Sequence, residues 1–80
     1  MKGILRFPLK NSADSLGADS GREFSIACDA GKKIVSGGYS TTGAVMALDS
    51  RPTNDTTWGL YLANIGNQGA QVSLYAVCIG

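Results

Sequence analysis

No histidine occurs among the 80 residues. Its absence removes the commonest general base, the usual metal ligand and the serine-triad arrangement together. Any catalysis would rest on Asp14, Asp19, Glu23, Asp29, Asp49 or Asp55, or on a cysteine thiolate. Most of these acids fall in or beside turn-rich segments, where carboxylates cap, bend or solvate the backbone. None of them forms a paired-carboxylate motif of the kind that cleaves glycosides. Segments 14–19 and 49–55 carry the oxygen ligands that calcium takes, but neither has the regular spacing of a calcium loop. The sequence therefore predicts a protein that is not an enzyme and that holds no metal and no cofactor.

Two residue types remain that could act. Cys28 and Cys78 are too few for a structural zinc site, which wants four ligands. Bridged, they would close a loop of about 50 residues and contribute about 4 kcal/mol in the chain-entropy model. Unbridged, they would serve as two small buried hydrophobes. Both sit at inward-looking positions of their segments, which suits either state. Tyr39 and Tyr61 are the candidate ligand-binding residues. Tyr61 falls on the face of its segment opposite Trp58, Leu60 and Leu62, and Tyr39 follows a double glycine. A solvent-facing tyrosine can stack on a sugar ring or pack against a partner subunit.

The elements that must hold these residues read as strands. Leu5, Phe7 and Leu9 alternate with Arg6, and Pro8 in that run marks an edge strand or an irregular extended arm. Residues 11–21 are rich in Ser, Ala, Asp and Gly without an apolar period, and predict a connector. Phe24, Ile26 and Cys28 then alternate with Glu23, Ser25 and Ala27, a half-buried strand. A turn follows at Asp29-Ala30-Gly31. Residues 32–40 are extended again, and Gly37-Gly38 predicts a bulge or close packing against another backbone. Residues 44–48 are a short apolar run, and 50–57 a polar loop. Trp58, Leu60 and Leu62 define a further strand, and 64–69 predicts a hairpin connection. The last strand, through Val72, Leu74, Ala76 and Cys78, is apolar on both faces from Tyr75 onward. That pattern predicts a strand that is central in its sheet or covered on both sides.

About six strands at this spacing predict an all-β domain, a small antiparallel β-sandwich or partly open barrel with an extended N-terminal arm. The division expected is an arm and connector over residues 1–22 and a β-sandwich domain over 23–80. Composition agrees. The chain is 44% hydrophobic and 16% charged, apolar enough to fold and poor in charge for a disordered segment. Its net charge of +1 comes from scattered basic residues, not from the clustered basic face that nucleic acid requires. No apolar run approaches the roughly 20 residues of a spanning helix, so membrane insertion is not expected. The first nine residues mimic the start of a signal peptide, but Arg6 and Pro8 interrupt an apolar region that is also too short.

Two segments resemble a known pattern. The run Cys28-Asp29-Ala30-Gly31-Lys32-Lys33-Ile34-Val35-Ser36-Gly37-Gly38-Tyr39-Ser40 resembles a cysteine, a short turn and a strand ending in Gly-Gly and a small or aromatic residue. Trp58 through Asn64, with Val72-Ser73-Leu74-Tyr75-Ala76-Val77-Cys78, is similar to its second half, a tryptophan strand ending in asparagine and a final Tyr-Ala-x-Cys strand. This module occurs in secreted bacterial proteins and at the C-terminal tips of phage tail fibres and tailspikes. The likeness covers about residues 24–80, with Asp29-Ala30 where proline is common before the glycine. It implies a β-sandwich, a Cys28–Cys78 disulfide in oxidised members, and a role in surface binding or fibre assembly. The partners it implies are a homo-oligomer, trimeric as fibres are, a larger fibre or spike chain, and a bacterial surface carbohydrate. The location it implies is the virion, after synthesis in the host cytoplasm, or alternatively the extracellular space as a free-standing secreted domain. In the oligomer, Leu5, Phe7 and Leu9 would be the arm that docks on a neighbouring subunit.

Overall fold

The computed structural model describes residues 9–80, which form six strands: β1 (Leu9–Leu16), β2 (Ser20–Ala27), β3 (Lys33–Thr41), β4 (Val45–Asn54), β5 (Thr57–Asn64) and β6 (Ala70–Ile79). They make two three-stranded sheets, in the orders β1-β6-β3 and β2-β5-β4, and all four ladders are antiparallel. The described residues contain no helix and the sheets do not close into a barrel. The fold is thus an open all-β sandwich.

Each sheet is organised around one strand whose alternation was visible in the sequence. In β5, Leu60, Leu62 and Asn64 point inward and are buried. In β6 the inward set is Ala70, Val72, Leu74, Ala76 and Cys78, each at most 4% exposed. With Leu16, Phe24 and Ile26 these residues are the core. β6 is flanked on both sides, by β1 and β3, as its two apolar faces predict.

The flanking strands differ from expectation. Residues 11–21, expected as a connector, are mostly strand. β1 runs to Leu16, a short turn holds Asp19 at φ 52°, and β2 begins at Ser20. β1 lacks an apolar period because it is an edge. Lys10, Ser12 and Asp14 share the inward face with Leu16, opposite Ala76, Leu74 and Val72, yet all three are exposed. Their strand is specified by the ladder that β6 offers, not by burial of their side chains. The boundary expected after residue 22 consequently falls within β2. Of the proposed arm residues, Leu9 opens β1 opposite Val77, and Leu5 and Phe7 lie outside the described residues.

Residues 50–57, expected as a polar loop, largely extend β4, which continues to Asn54. Pro52 is tolerated there because β4 is the outer strand of its sheet. Residues 64–69, expected as a hairpin, instead carry the chain from β5 in one sheet to β6 in the other. Asn64 explains the crossing. Its buried amide donates to Leu16 O at 3.0 Å and to Gln68 O at 2.9 Å, and its Oδ1 accepts Gly66 N at 2.9 Å. A buried polar group so fully bonded fixes the loop and clamps this end of the sandwich.

The other end is clamped covalently. Cys28, just past β2, is bridged to Cys78 of β6, with Cα atoms 6.0 Å apart. This resolves the two readings of the cysteines in favour of the bridge. Between the clamps the sheets touch through Trp58, whose ring lies against Gly37 of β3. A Cβ at Gly37 would overlap ring atoms Cγ, Cδ1 and Cδ2. Trp58 also donates from Nε1 to Ser50 Oγ at 2.9 Å. The double glycine differs from expectation: Gly37 and Gly38 pair in regular register with Ala76 and Tyr75, the bulge lies before them between Ile34 and Ser36, and Gly37 is closely packed by the side chain of Trp58 rather than by another backbone.

Gly37→Ala is expected to cost at least about 1–3 kcal/mol through overpacking. Gly38→Ala, where an added Cβ meets nothing within 4 Å, should stay within about 0.5 kcal/mol of the parent. Equal midpoints for the two variants in urea denaturation would refute the contact. Reducing the disulfide should remove about 4 kcal/mol on the chain-entropy account. The loss would be seen as a fall in Tm on adding reductant, absent in the Cys28→Ala/Cys78→Ala variant.

Candidate functional site

The outward face of β2-β5-β4 carries a recess of about 190 Å³, lined by Glu23 and Ser25 from β2, Gly59 and Tyr61 from β5, and Asp49, Arg51 and Thr53 from β4. Three local features build it. Gly59 makes the floor: it stands at an outward position where any side chain would project into the space, and a Cβ there would come within 2.6 Å of Thr53 Cγ2. Tyr61 makes one wall. Its ring leans across β2 onto Gly21, where an added Cβ would lie 3.0 Å from both Cε1 and the hydroxyl oxygen. Leaning that way, the ring leaves Gly59 uncovered.

The third feature is the irregular course of β4. Val45 and Ala47 point inward, opposite Asn64 and Leu62. Continued in phase, Asp49 and Arg51 would also point inward, into the core. The register instead shifts between Ala47 and Asp49, so that Asp49 pairs with Tyr61 and Arg51 with Gly59 on the outer face. Leu48 is the extra residue and is 62% exposed. A second shift, between Pro52 and Asn54, leaves Thr53 over Gly59. Bulges of this kind re-aim side chains.

Polar groups in the recess come from both signs of charge. Arg51 Nε donates to Asp49 Oδ2 at 3.0 Å. Glu23 stands directly across the ladder from Tyr61, and no ion pair or side-chain hydrogen bond engages it among the described residues. An aromatic wall beside carboxylates, a guanidinium and hydroxyls supplies what a polyhydroxylated ring needs: a flat apolar contact, acceptors and donors.

Tyr61 therefore lines the recess, and Tyr39 does not join it. The β3 bulge at Val35 reverses the alternation, so Tyr39 pairs with Leu74 on the inward face and packs against the core. Tyr75, on the outer face of the other sheet, shares a hydrogen bond with Ser40 Oγ at 3.1 Å. Sequence reasoning weighed Glu23 and Asp49 only as acids for catalysis or calcium, and did not select them, Ser25, Arg51, Thr53 or Gly59 as ligand-binding residues. For Glu23 and Ser25 the signal was present, since they alternate with Phe24. For Asp49, Arg51 and Thr53 it depends on bulges that alternation cannot reveal.

Of the remaining acids, Asp14, Asp29 and Asp55 are engaged elsewhere. Asp14 pairs with Arg22 at 3.2 Å, and Arg22 also lies 4.5 Å over the Phe24 ring, covering the core between β1 and β2. Asp29 pairs with Lys10, and Asp55 with Lys33 at 3.0 Å, at the disulfide end. Among the described residues no three His, Cys, Asp or Glu side chains gather where a metal could sit.

The YjdH family pattern matches residues 2–78, and the chain belongs to that family. No curated protein and no solved structure matches it.

The ion pairs at the disulfide end give a pH dependence of definite sign. The hydrogen bond from Lys10, then its charge, lowers Asp29 below 3.8. The hydrogen bond from Lys33, then a backbone hydrogen bond and the lysine's charge, lowers Asp55 likewise. Carboxylates lowered on folding contribute stability above their unfolded pKa, and that stability is lost as pH falls through the folded values. Carboxyl NMR titrations should therefore place both midpoints below 3.8. Asp29→Asn/Asp55→Asn should flatten acid destabilisation below about pH 4. Midpoints at or above 3.8 would contradict these pairs.

Proposed function

We propose that this chain is a non-catalytic binding module that takes a carbohydrate ring in the recess beside Tyr61. The observation that carries this reading is the construction of the recess. A glycine floor, an aromatic wall and polar side chains from three strands meet on a face that the core does not use. Shallow, open sites of this kind bind weakly one at a time, and repeated display multiplies their strength. A trimeric fibre or spike tip on a phage, contacting a bacterial surface glycan, is the setting in which such a module works best. The likeness of residues 24–80 to fibre-tip modules supports it.

A second reading, a free-standing secreted domain with an adhesive role, is favoured by the Cys28–Cys78 bridge, because disulfides persist in oxidising compartments and are rare in the cytosol.

Tyr61→Ala removes the aromatic wall without touching the core, so the variant should fold and melt as the parent does. Against a panel of immobilised bacterial surface polysaccharides, it should lose about tenfold or more in affinity, the weight carried by an aromatic anchor. Parent and variant binding alike, or a parent that binds no polysaccharide, would refute the reading. Light scattering of the same preparation separates the settings: a trimer supports the fibre tip and a monomer the secreted domain.

A further inference from the structure

Resting on the carbohydrate reading, we propose that the recess selects sugar units bearing a free amino group over acidic ones, and that Glu23 makes the selection.

The charge inventory of the recess carries this inference. Its charged lining is Glu23, Asp49 and Arg51. Asp49 and Arg51 are joined at 3.0 Å and offset one another. Glu23 remains, exposed and without an ion-pair partner among the described residues. Its position matters as much as its charge. Glu23 and Tyr61 are direct partners across the β2–β5 ladder, and such partners hold their Cβ atoms about 5 Å apart on one face. A ring stacked at Tyr61 thus presents its substituents within reach of the Glu23 carboxylate.

An ammonium on that ring gains twice. It meets an opposite charge at Glu23, and it lies near an aromatic face, which attracts cations through its quadrupole. A carboxylate, sulfate or phosphate on the ring meets a like charge instead, and Arg51 is already engaged by Asp49. An acetylated amine keeps the stacking contact and loses the charge. The order expected is amine-bearing, then N-acetylated, then acidic. Because Glu23 is open to solvent, each step is modest and weakens with salt.

The test uses the intact protein and three soluble probes of matched length: an oligomer of glucosamine, its N-acetylated counterpart and an oligogalacturonate. Titration calorimetry at low ionic strength, at a pH where the amine is charged, compares parent, Glu23→Gln and Asp19→Asn. The parent should bind the glucosamine oligomer about two- to fivefold more tightly than the acetylated one, the range of an exposed ion pair. Oligogalacturonate should be weakest. Glu23→Gln should abolish the preference for the amine while retaining the acetylated probe. Asp19→Asn, in the β1–β2 turn, should keep it, which excludes general attraction of a polycation. Equal binding of amine and acetylated probes by the parent, or a preference that survives Glu23→Gln, would overturn the selection and leave the carbohydrate reading standing. Acetylated-probe binding that is indifferent to Tyr61→Ala would defeat the carbohydrate reading itself, and the selection with it.

Discussion

A strand points successive side chains to opposite faces, and one inserted residue turns every later one over. The described residues carry three such insertions, at Val35 in β3 and at Leu48 and Thr53 in β4. The rest of the architecture depends on them. The shift at Val35 turns Gly37 inward under Trp58 and carries Tyr39 into contact with the core. The shift at Leu48 turns a carboxylate and a guanidinium, which no small core could bury unaided, out to the solvent face. Both bulged strands are sheet edges, where an unpaired residue disturbs one ladder only, and where bulges also discourage pairing with other chains.

The shift at Val35 also sets how closely the two sheets approach, because it brings Gly37 under Trp58. A chain of this length has little apolar surface to bury, and its margin is correspondingly thin. The protein concentrates its apolar side chains on two central strands and ties the sheets together by other means at each end. Cys28–Cys78 closes one end covalently, and the buried amide of Asn64 closes the other through three hydrogen bonds. Trp58 on Gly37 fills the space between. Arg22 covers the side left open between β1 and β2, with its charge paired to Asp14 and its plane over Phe24.

With the inner faces committed to cohesion, the outer face of β2-β5-β4 is free for another purpose. Glycine at positions 21 and 59 serves there by absence of bulk. One lets Tyr61 lie down across a neighbouring strand, and the other leaves a hollow beside it. A recess assembled from edge-strand side chains and a tilted ring is shallow, so under the proposed carbohydrate reading its affinity at one copy would be limited by desolvation and by loss of side-chain freedom.

By itself the sequence determined what depends on alternation and composition. The absence of histidine, the strands at β2, β5 and β6, the central place of β6 and the outward direction of Tyr61 all follow from a period of two and from residue type. The bridge between Cys28 and Cys78 was legible as one of two states of an inward-facing pair. Only the tertiary structure decided the rest. β1 is a strand because β6 offers it a ladder, which leaves no mark on its own polar residues. β4 extends through residues 50–54 because an edge tolerates proline and bulges that read as loop. The inward turn of Tyr39 and the outward turn of Asp49 and Arg51 were decided by single extra residues. No local pattern marks such residues, because a bulge is defined by the strand it pairs with and not by the strand that contains it.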